Sequence, residues 1–355
     1  MKNFNVWPSE LFEWVEDFLL TSVKNRTLSL PHRWPDFANI CKSTDKSMRD
    51  FFNIPDNYKI FYTYSATEWM EILIRNMVES KISLIVNWDF WELFVGESIS
   101  LKKDVEIIKK SRWERVEIND INVHNDIMAL TANDTSTGIA YSPEDLKNIR
   151  YKFSENVIIV DATSSFWALN YDINSADSWL FSVQKNFWLP PGLGIIIVNE
   201  KVIEKSLELE KKWLDVWWHH KLSSFLKFQE TNHTPSTPNI LLISALWFVV
   251  NKFIDVYWNI ETLEKSTLEK SKYFYDNILL NVLCKNREWL SKTTFVLETT
   301  ENQNKSIFKK LLDNWFSISP WYADKKMKNI RIANFPAHKL EDLKRLVEII
   351  NSYSL

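Results

Sequence analysis

The sequence predicts an α/β fold, with a mostly parallel sheet flanked by helices in a large domain and a small α+β domain at the carboxyl end. Short apolar runs alternate with amphipathic stretches from residue 58 to residue 200, which is typical of successive strand–helix units. A long helical stretch follows residue 239, and shorter strand and helix signals alternate beyond it. We therefore expect an amino-terminal segment at 1–15, the large domain at 16–245 and the small domain at 246–355.

The individual elements are predicted from apolar periodicity and from signals at their ends. Strands of the large domain are predicted at 58–65, 81–87, 126–133, 156–163, 178–184 and 194–200. Helices are predicted in "ATEWMEILIRNMVES", in "SPEDLKNIRYKF", where Ser142 is the N-cap, and in "ILLISALWFVVNKFIDVYW". In the small domain, "TTFVLETT" and "KNIRIANF" read as strands, and "SIFKKLLDNW" and "LEDLKRLVEIINSY" as helices.

Composition narrows the class of protein. A net charge of -3 and a pI of about 6.1 do not favour a nucleic-acid or membrane partner. Two cysteines, Cys41 and Cys284, are too few for a disulfide framework, and no cysteine or histidine spacing is typical of zinc. The start lacks the apolar core of a secretory signal, and no apolar run approaches the roughly 20 residues of a membrane helix. These features predict a cytoplasmic protein.

The glycine and tryptophan contents are abnormal. The chain has 4 glycines and 18 tryptophans, and the two counts together approach the ordinary glycine share of roughly 7%. Tryptophan stands in segments where a turn favours glycine, including "HRWPDF" and "NFWLPPG". We hypothesise that most of these positions are glycine codons read as tryptophan, as happens when a reassigned UGA codon is translated with the wrong table. The alternative is a tryptophan-rich protein. Trp179, in the strand "SWLFSVQ", is expected to be genuine.

Two polar residues follow predicted strands and are candidates for chemistry. Asp161 follows the apolar run in "NVIIVDAT", and Lys185 follows "SWLFSVQ" 24 residues later. In an open α/β sheet, ligands bind beyond the carboxyl ends of the strands. The two residues could form a structural ion pair. They also match what pyridoxal phosphate needs, namely a lysine that binds it covalently and an acid that keeps its ring nitrogen protonated.

Weaker candidates lie at other strand ends. Ser65, Ala66 and Thr67 begin a predicted helix and could offer N–H and hydroxyl groups to a phosphate, or they could be an ordinary helix cap. Phe90 could stack on a cofactor ring or belong to the core. Thr135 could bond a ring hydroxyl or lie in a plain turn.

The stretch "DATSSFWALNYDINSADSWLFSVQKNFWLPPGLGIIIV" resembles the lysine region of the class V, fold type I pyridoxal-phosphate aminotransferases, and most closely their phosphoserine-specific members. The resemblance covers almost the whole chain. "NFNVWPSEL" resembles the family's amino-terminal opening, "LPHRWPDF" its His-Arg segment and "IRIANFPAH" its carboxyl-terminal arginine motif. Trp7, Trp34 and Trp188 stand where the family carries glycine, in agreement with the misread-codon hypothesis.

The resemblance implies a seven-stranded type of sheet, pyridoxal 5'-phosphate as cofactor and a homodimer with shared active sites. It implies Lys185 as the cofactor lysine and proton carrier, and Asp161 as the partner of the ring nitrogen. The remaining cofactor contacts that it implies are the ring contacts Gln184, Thr135 and Phe90, the phosphate contacts Ala66 and Thr67, and His233 and Thr234 from the partner subunit. His233 stands where some relatives carry asparagine.

For the substrate, the resemblance implies that Arg331 binds the α-carboxylate, since a planar guanidinium matches a carboxylate. By itself, an arginine in a strand could equally form a surface ion pair. His32 and Arg33 would face the distal acid of the substrate. Some relatives carry a His-Arg pair before the carboxylate arginine; here Lys325 or Lys326 could replace its charge, or the run could be a solvated turn.

The resemblance implies transamination between O-phospho-L-serine and 2-oxoglutarate, giving 3-phosphohydroxypyruvate and L-glutamate in serine biosynthesis. An aminotransferase acting on alanine, serine or glyoxylate is the alternative, and a non-catalytic relative is a further one. Neither Cys41 nor Cys284 lies in a stretch that resembles a cysteine desulfurase loop, and no GxGxxG supports a dehydrogenase. His219 and His220 are expected to be helix or interface residues, with no metal site.

Overall fold

The computed structural model describes residues 1–86, 91–110, 113–212, 218–320 and 329–352. Its strands, in chain order, are β1 (Lys2–Phe4), β2 (Lys59–Thr63), β3 (Lys81–Val86), β4 (Asp104–Lys109), β5 (Ile127–Thr131), β6 (Asn133–Asp134), β7 (Ile139–Ala140), β8 (Val157–Asp161), β9 (Ser178–Ser182), β10 (Gly194–Val198), β11 (Thr294–Glu298), β12 (Phe316–Pro320) and β13 (Asn329–Ala333). Its helices are α1 (Glu13–Lys24), α2 (Pro35–Phe52), α3 (Ala66–Met77), α4 (Trp91–Ser100), α5 (Pro143–Lys152), α6 (Glu200–Glu210), α7 (Leu222–Gln229), α8 (Ile240–Tyr257), α9 (Ile260–Asn277), α10 (Glu301–Asp313) and α11 (Leu340–Asn351).

A seven-stranded sheet forms the centre of the large domain. Its strand order is β2-β10-β9-β8-β5-β3-β4, and the pairs from β9 to β4 are parallel, whereas β10 is antiparallel to both of its neighbours. The register sets Thr131 opposite Asp161 and Asp161 opposite Leu180, so that the carboxyl ends of β5, β8 and β9 meet at one edge. The predicted α/β class, with its mostly parallel seven-stranded sheet and small domain, is confirmed.

Local sequence explains how α3 begins beside this edge. Ser65 caps the helix, since its hydroxyl accepts from the Glu68 N–H at 3.1 Å. Gly194 of β10 lies directly against this cap: a Cβ at Gly194 would come within 2.3 Å of the Ser65 carbonyl carbon and oxygen. Glycine at 194 therefore lets the start of α3 approach the sheet. Ser142 also caps α5 as predicted, in a capping box with Asp145.

The long helix α8 belongs to the core of the large domain. It is apolar and long enough by composition to cross a membrane, which departs from the sequence expectation that no run comes near that length. Half of it is buried, and its buried side chains pack with those of α2 in the large core. The domain boundary predicted after residue 245 falls inside this helix.

The small domain contains a four-stranded sheet with the order β1-β12-β13-β11 and a second apolar core. Its first strand comes from the amino terminus: β1 pairs in parallel with β12, Lys2 opposite Phe316 and Phe4 opposite Ile318. The amino-terminal segment is therefore tied to the small domain before the chain enters the large one.

Several tryptophans have the backbone conformation that glycine adopts most readily. The φ angle is positive at Trp113, Trp167, Trp188, Trp258 and Trp315. Bulky side chains rarely occupy this region, so the structure supports the glycine hypothesis at these positions. Trp34 has φ -91°, an ordinary value that lends it no such support. Trp179 lies in β9, and its indole Nε1 donates to the Ile173 carbonyl at 2.9 Å, as expected of a genuine tryptophan.

Candidate active site

A cavity of about 220 Å³ lies at the edge where the parallel strands end. Its walls come from the ends of β5, β8 and β9, the first turn of α3, residues 6–8 of the amino-terminal segment and one residue of β13. Sequence-predicted residues that line it are Ser65, Ala66, Thr67, Thr135, Asp161, Gln184, Lys185 and Arg331. The fold thus brings together eight candidates from five separate segments of the sequence.

Asp161 ends β8 and is buried. Its Oδ1 accepts from the Thr163 N–H at 2.9 Å and from the Thr163 hydroxyl at 2.6 Å. Burial raises the pKa of this carboxyl, while the two bonds from Thr163 and the charge of Lys185 act against that rise. The carboxylate is therefore oriented by Thr163 within a buried site.

Lys185 follows β9 and is also buried. Burial lowers its pKa to about 8, the charges of Asp161 and Asp134 act against this shift, and the charge of Arg331 adds to it. A neutral amine is therefore accessible close to neutrality. That is the condition under which a lysine acts as a nucleophile or a base.

Arg331 lies in β13 with its side chain fully buried. Its Nε and Nη2 donate to the Pro320 carbonyl at 3.2 and 2.9 Å, and its Nη1 donates to the Thr135 carbonyl at 3.4 Å. The guanidinium lies 4.7 Å from the centre of the Trp7 ring. These contacts fix a permanent positive charge on the small-domain side of the cavity.

The described residues fit pyridoxal phosphate. Lys185 and Asp161 supply the two groups that its aldehyde and ring nitrogen require. The first turn of α3 lines the same cavity and offers the positive end of a helix dipole to a phosphate. The Oδ1 of Asn133, buried at the cavity wall, has no hydrogen-bond partner among the described residues, which leaves one acceptor for a bound ring.

His32, Arg33, His233 and Thr234 form a second group, and none of them lines the Lys185 cavity within the described chain. Arg33 donates from Nη1 to the Thr234 carbonyl at 2.6 Å and from Nη2 to the Pro235 carbonyl at 3.0 Å. Burial, Arg33 and His233 lower the pKa of His32. His233 and Thr234 line a separate cleft of about 460 Å³, where the His233 Nε2 is buried without a hydrogen-bond partner among the described residues.

Three residues that the sequence analysis names as candidates, Phe90, Lys325 and Lys326, lie outside the described residues.

His220 lies beside two glutamates of α3. Its ring nitrogens are 3.3 Å from Glu68 and 3.5 Å from Glu71.

Sequence reasoning missed several residues of the cavity. Thr163 orients Asp161, and the Ser182 hydroxyl accepts from the Ala66 N–H at 2.7 Å, which fixes the start of α3. Both stand within two residues of a strand end, and examining every strand end would have found them. Asn133 begins β6, and its side-chain amide donates to the Ser164 hydroxyl at 2.7 Å.

Comparisons with known proteins agree with this geometry. A family model described as Aminotransferase class-V matches residues 7–314. A phosphoserine aminotransferase of Lactococcus lactis is 22% identical over 292 residues, or 77% of this chain and 75% of the relative. The crystal structure of a phosphoserine aminotransferase from Cytophaga hutchinsonii has a TM-score of 0.93 and 31% identity, covering 99% of this chain and 98% of that chain. A PLP-bound phosphoserine aminotransferase of Trichomonas vaginalis shares the fold, with a TM-score of 0.81 and 15% identity over 98% of this chain and 99% of that one.

Proposed function

The chain belongs to the class V aminotransferase family, whose cofactor is pyridoxal phosphate, and on that premise we propose that it transfers the amino group of O-phospho-L-serine to 2-oxoglutarate. The products would be 3-phosphohydroxypyruvate and L-glutamate, in the cytoplasm and in serine biosynthesis. The observation that carries the proposal is the convergence of Lys185, Asp161 and Arg331 on one buried cavity.

When bound, pyridoxal phosphate delocalises the electron pair that remains after the α-proton leaves an amino acid. Lys185 would hold it covalently, Asp161 would face its ring nitrogen, and Ala66 and Thr67 would contact its phosphate. A neutral Lys185 Nζ can accept the α-proton of the substrate, because burial lowers its pKa to about 8, and would deliver it to the carbon that is the aldehyde carbon of the free cofactor. The walls of the cavity limit the access of water to that proton transfer.

Arg331 would bind the α-carboxylate of the substrate. Its bonds to Pro320 and Thr135 orient the guanidinium before a substrate arrives, so little side-chain entropy is lost on binding. The α-carbon would then lie between Arg331 and Lys185. Both residues line the same cavity.

A second copy of the chain would complete the site. Of the described residues that line the cavity, Lys185 and Arg331 are the cations, whereas phosphoserine and the cofactor would each bring a phosphate. The group of His32, Arg33, His233 and Thr234 lies outside the cavity of its own chain, and Arg33 donates to the backbone carbonyls of Thr234 and Pro235. We propose that this group reaches the cavity of the partner in a homodimer.

Transamination of alanine, serine or glyoxylate is the second candidate. It is favoured by one observation: both terminal amino groups of Arg33 donate to backbone carbonyls, so Arg33 is already engaged. A substrate without a distal phosphate would need only Arg331 in the cavity.

The test compares three amino donors in two proteins. The wild-type protein and the Arg33→Gln variant, each loaded with pyridoxal phosphate, are assayed with phosphoserine, alanine and serine. We expect phosphoserine turnover in the wild type and a selective loss of at least roughly tenfold in Arg33→Gln, since a charge-assisted bond to phosphate is removed. Preference for alanine, unchanged in Arg33→Gln, would support the second candidate instead, and no turnover of any of the three would favour a non-catalytic relative.

Sharing of the site between subunits has its own experiment. Lys185→Ala and Arg33→Gln proteins are unfolded together and refolded as a mixture. A mixed dimer has one site with both residues intact, so random pairing should restore about a quarter of the wild-type phosphoserine activity. Activity no higher than that of the separate variants would contradict a shared site.

A further inference from the structure

We propose that His338 is a positioning residue that holds the amino-terminal segment (residues 3–9) against the cavity, with Lys270 bonded to the backbone of the turn that carries His338. This inference rests on transamination at Lys185, whichever amino acid is the donor. His338 does not line the cavity; it acts through the segment.

The segment bridges the small domain and the cofactor lysine. Val6, Trp7 and Pro8 line the cavity. At one end, the Val6 N–H donates to the Ser319 hydroxyl at 2.9 Å, next to the β1–β12 pairing. At the other end, the Ser9 N–H donates to the Gln184 carbonyl at 3.2 Å, and Gln184 directly precedes Lys185. A shift of the segment would therefore move a wall of the cavity.

The hydrogen bonds of His338 fix its tautomer. Its Nδ1 accepts from the Phe335 N–H at 2.9 Å, so the ring proton is on Nε2. That Nε2 lies 3.0 Å from the Asn3 carbonyl oxygen, to which it donates, and 3.3 Å from the Ser9 hydroxyl. The ring stacks on Phe4 at 4.2 Å between ring centres. Burial, together with the charge of Lys270, lowers the pKa of His338 to about 3, so the ring is neutral near neutrality.

Lys270 of α9 holds the turn that carries His338. Its Nζ is buried and donates to the Phe335 carbonyl at 3.0 Å and to the His338 carbonyl at 2.9 Å. The same turn leads back to β13, where Arg331 lies. One unit therefore sets the position of the amino-terminal segment relative to both Arg331 and Lys185.

This arrangement separates two effects on catalysis. Without the Nε2–H bond to Asn3, the segment would loosen and substrate held at Arg331 would lose a fixed wall, so KM should rise. Asp161 and Lys185 keep their own contacts, so kcat should change little. A purely structural role would instead lower stability and leave both constants of the folded protein unchanged.

The test uses two substitutions that each keep one side of the imidazole. His338→Asn places its carbonyl oxygen near the Nδ1 position and keeps an acceptor for the Phe335 N–H. His338→Gln places its amide nitrogen near the Nε2 position and keeps a donor for Asn3. We expect KM for the amino donor to rise roughly tenfold in His338→Asn, the effect of one lost hydrogen bond, with kcat within about threefold, and to return close to wild type in His338→Gln.

Hydrogen exchange of the amides of residues 2–9 gives a readout that does not depend on turnover. Exchange should be faster in His338→Asn than in His338→Gln, in the cofactor-loaded protein. His124→Asn is the matched control, because His124 is exposed and bonded to Glu106, away from the cavity. It should leave exchange, KM and kcat unchanged.

Two outcomes would overturn the inference: equal KM values for the Asn and Gln variants, or exchange at residues 2–9 that His338→Asn does not alter. If the wild type fails to turn over phosphoserine, the proposed substrate is wrong, but KM for alanine and the exchange rates still test the role of His338.

Discussion

Two buried lysines, one at the cavity of the large domain and one in helix α9, have different surroundings. Lys185 in the large domain and Lys270 in α9 are both buried, and burial lowers their pKa values to about 8 and about 7. Lys270 donates to two backbone carbonyls. Lys185 instead lines a cavity together with Asp161 and Arg331. A lowered pKa is therefore common to both lysines and does not by itself identify the one with a chemical role.

The difference lies in what each ammonium group faces. Two carbonyl oxygens hold Lys270 in one position, and its bonds serve to fix a turn. Lys185 and the carboxylate of Asp161 both line a cavity that can hold a ligand. The neighbouring charges can therefore shift the pKa of Lys185, and a substrate in the cavity can reach its amino group. The following four predictions test this contrast, from the largest expected effect to the smallest.

Replacing Lys185 should abolish transamination. In Lys185→Ala, we expect turnover to fall at least about a thousandfold, because both the covalent attachment and the proton carrier are lost. Absorbance of the protein after incubation with pyridoxal phosphate and dialysis reports the attachment independently. Lys270→Met should retain that absorbance, and if it were lost equally in both variants, the contrast between the two lysines would fail.

Asp161→Asn should have the next largest effect. The amide keeps the shape of the side chain and can still accept from the Thr163 N–H, but it removes the charge that we propose faces the cofactor ring. We expect kcat to fall about a hundredfold while the protein remains folded, in line with the loss of a preorganised electrostatic contact. A stopped-flow half-reaction with one amino donor measures this, and a change smaller than about threefold would assign Asp161 to a structural ion pair.

Lys270 should affect the pH dependence of stability. Its pKa is below that of an unfolded lysine, so between about pH 7 and about pH 10.4 the unfolded chain binds the extra proton and folding is favoured as the pH rises. The free energy of unfolding of the wild type should therefore rise with pH relative to Lys270→Met, by up to about 1.4 kcal/mol per pH unit. Urea titrations at several pH values in this window measure the difference, and parallel curves would contradict the shifted pKa.

Replacing Trp188, in the turn that follows Lys185, should give the smallest effect, a change in stability. Trp188 has φ 57° and a buried indole N–H without a hydrogen-bond partner among the described residues, whereas the Trp179 indole is bonded. Trp188→Gly loses a packed side chain but relieves about 1–2 kcal/mol of backbone strain and an unpaired donor worth about 1–3 kcal/mol. We expect its stability to change by less than about 1 kcal/mol.

Trp179→Gly provides the matched comparison for Trp188. It should cost about 3–5 kcal/mol, because it removes a packed and hydrogen-bonded side chain from a strand. Similar losses in the two variants, measured by denaturant unfolding, would argue that Trp188 is a genuine tryptophan.

The sequence predicted the lysine region well, for a local reason. Alternating apolar runs locate β8 and β9; Asp161 is the last residue of β8, and Lys185 lies three residues beyond the end of β9. Neighbouring parallel strands bring such ends to one edge of the sheet, and β8 and β9 are neighbours here. The start of α3 was predictable in the same way from its Ser65 cap.

Other predictions depended on contacts that no local pattern encodes. His32 and Arg33 were expected to face the substrate, yet within the chain Arg33 binds Thr234, 201 residues away. The role of α8 as a core helix of the large domain follows from its packing on α2, and composition alone would place it equally well in a membrane.

By itself, the sequence determined the order of strands and helices, the polar residues at the strand ends and the anomaly of tryptophan in glycine-like turns. These are properties of neighbouring residues, set by side-chain periodicity and backbone preference. Only the tertiary structure decided that β1 joins the small sheet and that His338 binds Asn3, 335 residues before it. It also separated Lys185 from Lys270, because desolvation lowers the pKa of any buried amine, while the groups that surround the amine depend on how the whole chain packs.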